Sequence, residues 1–407
     1  MAANPRILHL FNRYRFPGGE ETAVLRMSEV MLAQGAAVEE LFVSSNDWDG
    51  PAAPPKWQQP MRAFHNPTAI RQLRETHSRH QPDLWLGHNL LPVLSLSTLR
   101  EAKRQNVPLA LYLHNYRPFS TNGALWVNNH LEISGLKRRF TPEIIAGAWQ
   151  GSVVRTAWMA LMLHTAHALG WYRNVSAWIA VSAFVRDRFI EAGVPAEKVH
   201  VHAYPFFPRA TTPVEAPTGR FLFLGRLTEA KGTRVMLQAW KELRQHLSAE
   251  AMPKLIIVGD GELQQEVEAS AAASEGSIDY RGSLHGEAKE QAIADCTAMI
   301  VPSIWWDPYP TVVYEAFDHG RPVLAARSGG LPESVAHGQR GLIHEPGDAM
   351  SLAKDILQFH QHPQVAAAMG RAGREWLLAN AGVEHWWQGF MKIRSIIQEQ
   401  RRACVKA

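Results

Sequence analysis

Arg226 and Lys231 share the run Gly225-Arg226-Leu227-Thr228-Glu229-Ala230-Lys231-Gly232, directly after an apolar segment. A guanidinium offers a rigid fork of donors and an ammonium a compact point charge, so the two on one loop suit a diphosphate. Asp307 and Glu315 follow further on. With a helix starting near Thr311, Asp307 falls in the loop before it and Glu315 on its second turn. The N–H groups of Thr311 and Val312 then point at an anion. Two carboxylates beside such a site suit hydroxyls rather than the anion, because an ionised carboxylate accepts several hydrogen bonds from a sugar or a ribose. A solvated loop and an ordinary helix cap use the same residue types. Gly18-Gly19 at the start of a helical pattern lets backbone N–H groups come close to an anion. Neither G-x-G-x-x-G nor G-x-x-x-x-G-K-[ST] occurs, so the usual dinucleotide and P-loop fingerprints are missing.

The elements that must position these residues are short apolar runs alternating with helical patterns. Strands are expected at residues 6–11, 38–43, 84–87, 108–113, 177–181 and 199–202, and again at 220–224, 254–258, 278–280, 298–301 and 322–325. Runs this short and this rich in Val, Ile and Leu suit parallel strands buried on both faces. Helices are expected between them, for example over 20–34, 182–192 and 287–296. In open sheets of this kind ligands bind beyond the carboxyl ends of the strands, which is where the polar and glycine clusters fall. The expected organisation is a first Rossmann-like domain over 1–205, a Pro- and Thr-rich linker over 206–219, a second over 220–382 and a final helical segment over 383–407. That segment carries an apolar face of Trp386, Trp387, Phe390, Met391, Ile393, Ile396 and Ile397, which has to be covered.

The 407 residues suffice for two domains of ordinary size, and 46% hydrophobic with 20% charged residues is a globular balance. No run of eighteen apolar residues occurs, and the N-terminus lacks the layout of a signal peptide. The two cysteines, Cys296 and Cys404, form no disulfide framework or zinc pattern, so a reducing, cytoplasmic location is expected. A net charge of +4 suits anionic ligands. The basic residues make no dense stripe, which argues against nucleic acid as a partner.

With these loops in view, the chain resembles a retaining glycosyltransferase of family four (glycosyl transferases group 1), of the bacterial polysaccharide or glycolipid type. The most specific stretch, residues 301–333, is similar to the family's P-S-x-x-x-E-x7-E block followed by G-x-P-V and G-G-x-P-E. Gly225-Arg226-Leu227 with Lys231-Gly232 resembles its G-R-L…K-G motif. Pro17-Gly18-Gly19 and His114-Asn115-Tyr116-Arg117 resemble N-terminal features of bacterial members. The resemblance implies the GT-B fold, α/β with two Rossmann-like domains whose parallel sheets face across a cleft. It implies that Arg226 and Lys231 hold the donor diphosphate and that Glu315 accepts from the ribose hydroxyls. Asp307 then contacts donor sugar hydroxyls, Gly18 and Gly19 approach the phosphates, and His114 lies near the donor sugar, orienting it or sharing its charge. It also implies a last helix that crosses back onto the first domain. Two positions depart from the pattern: Asp307 is one methylene shorter than the family's glutamate, and Pro310 stands where many members have glycine. Pro310 has no N–H, which leaves phosphate contacts to Thr311 and Val312. Where some bacterial members carry cysteines after the H-N-Y-R segment, this chain has Pro118-Phe119-Ser120-Thr121-Asn122.

The expected reaction is transfer of a hexosyl unit from a nucleoside diphosphate sugar to a hydroxyl of a growing polysaccharide or lipid-linked glycan, with no cofactor and no metal. Asp47-Trp48-Asp49 reads D-x-D but precedes a Pro-rich loop in the first domain, away from the cation pair. His164 and His167 lack the further ligands a zinc site needs. Two rivals remain: a nucleotide-sugar epimerase of the same fold, and a silent nucleotide-sugar-binding scaffold, kept open by Asp307. Residues 136–170, with Lys137, Arg138, Arg139, Arg155 and several tryptophans, suit contact with an anionic membrane at the inner face of the plasma membrane.

Overall fold

The computed structural model describes residues 4–15, 18–51, 53–210 and 219–406. The chain divides into two compact units. Unit 1 comprises Met1–Val127, Glu132–Phe206 and Val383–Ala407, and unit 2 comprises Asn128–Leu131 and Phe207–Gly382. Residues 211–218 of the expected linker and Pro17 of the glycine loop lie outside the described residues.

Unit 1 is built on β1 (Arg6–Arg13), β2 (Ala37–Ser44), β3 (Leu84–Gly87), β4 (Leu109–Leu113), β5 (Ala177–Ala180) and β6 (Val199–Val201). They pair in the order β2-β1-β3-β4-β5-β6, every pairing parallel. Its helices are α1 (Gly19–Ala33), α2 (Gln59–Phe64), α3 (Pro67–His80), α4 (Ser97–Arg104), α5 (Thr141–Ile145), α6 (Val153–Ala168) and α7 (Ala183–Glu191). Local chemistry sets their starts. Asn66 accepts from the Thr68 N–H ahead of Pro67 in α3, Ser152 caps α6 through the Arg155 N–H, and Ser182 caps α7 through the Val185 N–H.

Unit 2 is built on β7 (Arg220–Leu224), β8 (Lys254–Val258), β9 (Ile278–Tyr280), β10 (Ala298–Val301), β11 (Val323–Ala326) and β12 (Gly341–His344). They pair in the order β9-β8-β7-β10-β11-β12, again all parallel. Its helices are α8 (Thr233–His246), α9 (Gln264–Ala272), α10 (Gly286–Ala294), α11 (Val312–Asp318), α12 (Leu331–Val335), α13 (Ala349–Gln361) and α14 (Pro363–Asn380). Phe221 and Phe223 of β7, Trp240 of α8 and Phe359 of α13 are buried together in its core. The eleven expected strands all form, with ends moved by up to two residues. β12 is an additional strand that the apolar patterning did not single out.

Both sheets reverse their strand order once: β1 separates β2 from β3, and β7 separates β8 from β10. At such a point the loops leaving neighbouring strands diverge to opposite faces and open a crevice above the carboxyl ends. The final helix, α15 (Val383–Lys406), belongs to unit 1. Trp386, Phe390, Ile393 and Ile397 fall on one helical face and are buried. The Trp386 indole N–H donates to the Ala203 carbonyl at 3.1 Å, and its ring stacks on His202. Arg394 forks onto Asp83 at 3.0 and 2.8 Å.

Candidate functional site

Unit 2 brings the second cation, Lys231, and the first acid, Asp307, together at its point of strand reversal. β7 leads into residues 225–232 and the neighbouring β10 into residues 302–311. Lys231 ends a short 3-10 turn, Glu229–Lys231, and Gly232 follows at φ +75°. A Cβ at 232 would fall 1.9 Å from the Pro302 carbonyl oxygen, so only glycine lets this turn close on the second loop. Gly329, at φ +57°, is held as tightly: its Cβ would fall 1.9 Å from the Asp307 carbonyl oxygen. The Gly330 N–H donates to that oxygen at 2.9 Å.

Between these fixed backbones the Lys231 Nζ lies 2.5 Å from Asp307 Oδ2. The ammonium also sits 5.3 Å from the centre of the Trp305 ring, within reach of the ring's negative face. Asp307 is buried and Lys231 half-buried. Arg226 is exposed, and its guanidinium has no partner among the described residues. Four polar atoms on the same two loops or at the start of α8 are buried without a hydrogen-bond partner among the described residues: Thr228 Oγ1, Thr233 Oγ1, Ser303 Oγ and Trp305 Nε1.

Thr311 stands at the N-cap of α11 and Val312 opens it. The helix's own backbone bonds begin with the N–H groups of Val313, Tyr314 and Glu315, which places those of Thr311 and Val312 in the first turn. Glu315 is half-buried and pairs with Lys289 of α10, Oε1 to Nζ 3.1 Å. The far end of α11 is pinned through Asp318, whose carboxylate accepts from Arg209 Nε and Arg374 Nη1, each at 2.9 Å. Lys289 has no motif around it and was not foreseen. Only the packing of α10 beside α11 reveals it.

Unit 1 collects a second set of residues at its own strand ends. Gly18 is the N-cap of α1 and Gly19 its first residue. Gly18 has φ −151°, and a Cβ there would meet nothing within 4 Å, so neither its backbone nor its neighbours require glycine. Glu20, in the first turn, accepts from the Tyr14 hydroxyl at 2.9 Å and faces the Asn115 amide at 3.4 Å. Burial pushes its carboxyl up to about 7, against the opposing pull of the Tyr14 hydrogen bond and of Arg117. Glu20 reads in the sequence as an ordinary first-turn acid, and its burial was not foreseen. In the cysteine-free segment, Ser120 Oγ, the Thr121 N–H and Thr121 Oγ1 all donate to the buried Glu143 carboxylate.

His114 is buried, and both ring nitrogens are engaged. Nε2 lies 2.7 Å from His88 Nδ1, and Nδ1 lies 2.8 Å from the Tyr204 hydroxyl. Burial pulls its pKa down to about 3. The D-x-D residues also have partners: Asp47 accepts from the Ser44 N–H at 2.8 Å, and Asp49 pairs with Arg15 at 2.9 Å. His167 lies 2.9 Å from the Pro118 carbonyl oxygen and packs on Phe119 and Tyr172. Among the described residues no group of three or more metal-ligating side chains converges.

Residues 218–362 match the family described as Glycosyl transferases group 1, and residues 17–203 match Glycosyltransferase Family 4. A 2-deoxystreptamine glucosyltransferase of Streptomyces kanamyceticus is 32% identical over 166 residues, 40% of this chain and 42% of that protein. A GDP-mannose-dependent alpha-(1-6)-phosphatidylinositol monomannoside mannosyltransferase of Mycolicibacterium smegmatis is 33% identical over 165 residues, 39% of this chain and 42% of that protein. The chain thus spans about half the length, or less, of these curated relatives. Among solved structures, sucrose-phosphate synthase from Thermosynechococcus elongatus superposes with a TM-score of 0.69 at 18% identity, covering 100% of both chains. Anabaena HepE in complex with UDP-glucose does so with a TM-score of 0.61 at 19% identity, covering 98% of this chain and 99% of that one. With one family description on each unit, and a parallel six-stranded sheet beneath each, the chain belongs to the family 4 glycosyltransferases (glycosyl transferases group 1) and has the GT-B fold.

Proposed function

We propose that the chain is a retaining, metal-independent hexosyltransferase. It moves a sugar from a nucleoside diphosphate sugar to a hydroxyl of a growing polysaccharide or lipid-linked glycan. The observation that carries this reading is the Lys231–Asp307 pair at the strand reversal of unit 2, with Glu315 on the helix that follows. A diphosphate reaching Lys231 shares the ammonium with Asp307, while Arg226 closes on the phosphates from its exposed position. Both cations then stabilise the charge that grows on the leaving diphosphate as the glycosidic bond breaks. Asp307 and Glu315 accept from sugar and ribose hydroxyls, and the first-turn N–H groups of Thr311 and Val312 face the phosphates. Gly18 leaves room for a phosphate at the start of α1, and Gly19 follows it as the first residue of that helix. Four unpaired polar atoms around the two loops support a polar ligand there, since buried polar groups are normally satisfied. No residue acts as nucleophile. The acceptor is positioned, and a donor phosphate oxygen takes its proton.

The same proposal extends to the surface of unit 1. No described helix is long and apolar enough to cross a membrane. On α6, Val154 and Leu161 are exposed one above the other, and Trp158 between them donates its indole N–H to the Pro60 carbonyl. Met61, next in the chain, and Trp57 are exposed as well. With Lys56, Arg62 and Arg155 interspersed, this surface suits shallow contact with an anionic bilayer that carries a lipid-linked acceptor.

A thermal-shift screen of UDP-, GDP- and ADP-sugars identifies the donor, because a ligand that binds only the folded state raises its stability. Donor consumption is then followed with and without candidate acceptors in the native chain and in Lys231→Ala and Glu315→Ala. Transfer is expected to depend on acceptor and, at donor concentrations below KM, to collapse in both variants. Unchanged rates in the variants would sink the reading. Consumption without acceptor points to epimerisation, and binding without turnover on any acceptor points to a silent scaffold.

A further inference from the structure

A row of buried side chains crosses unit 1 from strand to strand. Ser28 Oγ, on α1, lies 2.7 Å from His9 Nδ1, on β1. His9 Nε2 lies 2.6 Å from His88 Nε2, just past β3. His88 Nδ1 lies 2.7 Å from His114 Nε2, just past β4, and His114 Nδ1 lies 2.8 Å from the Tyr204 hydroxyl. Because β1, β3 and β4 are neighbours in the sheet, the three imidazoles follow one another from the middle of β1 to the residues just past β3 and β4. All five residues are buried.

A neutral imidazole has one donor and one acceptor nitrogen, so a chain of three in series can run in only two directions. Ser28 decides between them. Among the described residues its hydroxyl has one hydrogen-bond partner, His9 Nδ1. A buried hydroxyl in that position satisfies its proton only by donating it. His9 then carries its proton on Nε2 and donates to His88 Nε2. His88 carries its proton on Nδ1 and donates to His114 Nε2, and His114 carries its proton on Nδ1 and donates to Tyr204. A charged imidazolium has two donor nitrogens and would put two protons face to face in the row. Burial opposes that charge as well, pulling His9 and His114 down to about 3 and His88 well below its ordinary value.

We propose that Ser28, His9 and His88 form a directional hydrogen-bond chain that fixes His114 as the neutral Nδ1–H tautomer and directs the Tyr204 hydroxyl proton away from it. In the transfer reaction, and resting on that reading, Ser28, His9 and His88 are positioning residues. They hold His114 without charge, so it does not share the donor's charge as an imidazolium.

The test is histidine ring-nitrogen NMR on the full chain labelled with 15N-histidine, at neutral pH. The expected pattern is protonated Nε2 on His9 and protonated Nδ1 on His88 and His114, with none of the three an imidazolium. A His114 protonated on Nε2, or any of the three charged, overturns the proposal. Tyr204→Phe removes the last acceptor and strands the His114 Nδ1 proton, which the row can relieve only by reversing, with Ser28 Oγ accepting from His9 Nδ1 at the cost of its own donated bond. All three rings are therefore expected to exchange tautomer together in that variant. A change confined to His114 overturns the chain, and if the variant does not fold, the native pattern decides alone. These signals need no substrate. A chain that shows the expected tautomers but transfers no sugar removes the functional reading and leaves this one standing.

Discussion

The Lys231 ammonium and the Asp307 carboxylate, 76 residues apart in the chain, meet at 2.5 Å where the sheet of unit 2 reverses its strand order. The acid and the cation therefore neutralise one another before any ligand arrives, and a donor phosphate has to compete with a carboxylate for the same ammonium. Asp307 being shorter than the glutamate of the family pattern does not keep it from this partner, because Gly329 and Gly330 press its backbone into place.

Asp307→Asn should separate the two roles. The amide keeps the shape but leaves a half-buried ammonium without its counter-charge. Breaking a buried pair in this way costs about 3–5 kcal/mol, and less here because Lys231 keeps some solvent contact. The midpoint of denaturant unfolding should fall, and the nucleoside diphosphate that fits the site should raise the melting temperature more in the variant than in the native chain. An equal or smaller ligand shift would mean that Asp307 does not compete for Lys231.

Lys231→Ala and Glu315→Ala should each lower kcat/KM on the matching donor by about 10²–10³, the scale seen when one preorganised charge-stabilising group is lost. The Glu315 change should act mainly through donor KM, since ribose contacts are made equally in the ground and transition states. Lys289→Ala, which frees Glu315 from its 3.1 Å partner, should alter donor KM without abolishing transfer. Initial-rate kinetics on the three variants decide this.

Glycine should matter differently at two positions. Gly232→Ala forces a Cβ onto the Pro302 carbonyl at a left-handed φ, so both stability and transfer should be lost. Gly18→Ala meets nothing within 4 Å at an extended φ, so the melting temperature should hold. Donor KM should rise if a phosphate comes to the start of α1. An unchanged KM in Gly18→Ala would remove that position from the donor site.

Glu20 gives a pH signature with a definite sign. Its carboxyl titrates near 4.5 when unfolded and is pushed up to about 7 in the fold by burial. Between those values the folded chain keeps a proton that the unfolded chain has lost. Its contribution to stability therefore falls as pH rises from about 4.5 to about 7 and is flat beyond. Glu20→Gln should erase that slope, so the melting temperature of the variant relative to the native chain should climb across the window. A constant difference would show that Glu20 titrates normally.

For the membrane surface, Val154→Asp with Leu161→Asp places two charges on the exposed face of α6. Flotation with vesicles containing acidic lipid should recover native protein and lose the double variant, while neutral vesicles should recover neither. Equal recovery of native protein with both vesicle types would remove electrostatic contact as the cause.

Much of this architecture was legible because both sheets are parallel and buried on both faces, which turns each strand into a short apolar run with a polar cluster after it. β12 escaped because Gly341–His344 offers only Leu342 and Ile343 as apolar residues, set between a glycine and a histidine. At the site, types and spacing pair Arg226 with Lys231 and Asp307 with Glu315, whereas the structure joins Lys231 to Asp307 and Glu315 to Lys289. Neither spacing nor type could say that Lys231 pairs with Asp307, because that depends on β7 and β10 being neighbours. The same holds for Lys289 beside Glu315. The row from Ser28 to Tyr204 was the least legible, since residues 9, 28, 88, 114 and 204 share no interval and acquire a common line only once the strand order is known.

The return of α15 to unit 1 also sets an order of events during synthesis. The Trp386 indole fills its place beside His202 and Ala203 only after every residue of unit 2 has been made. A growing chain can therefore complete the second unit while the first still lacks one of its walls, with the apolar seat of Trp386, Phe390, Ile393 and Ile397 uncovered. Unit 1 starts to be made before unit 2 yet becomes whole after it, and damage to α15 is felt in the sheet that was translated earlier.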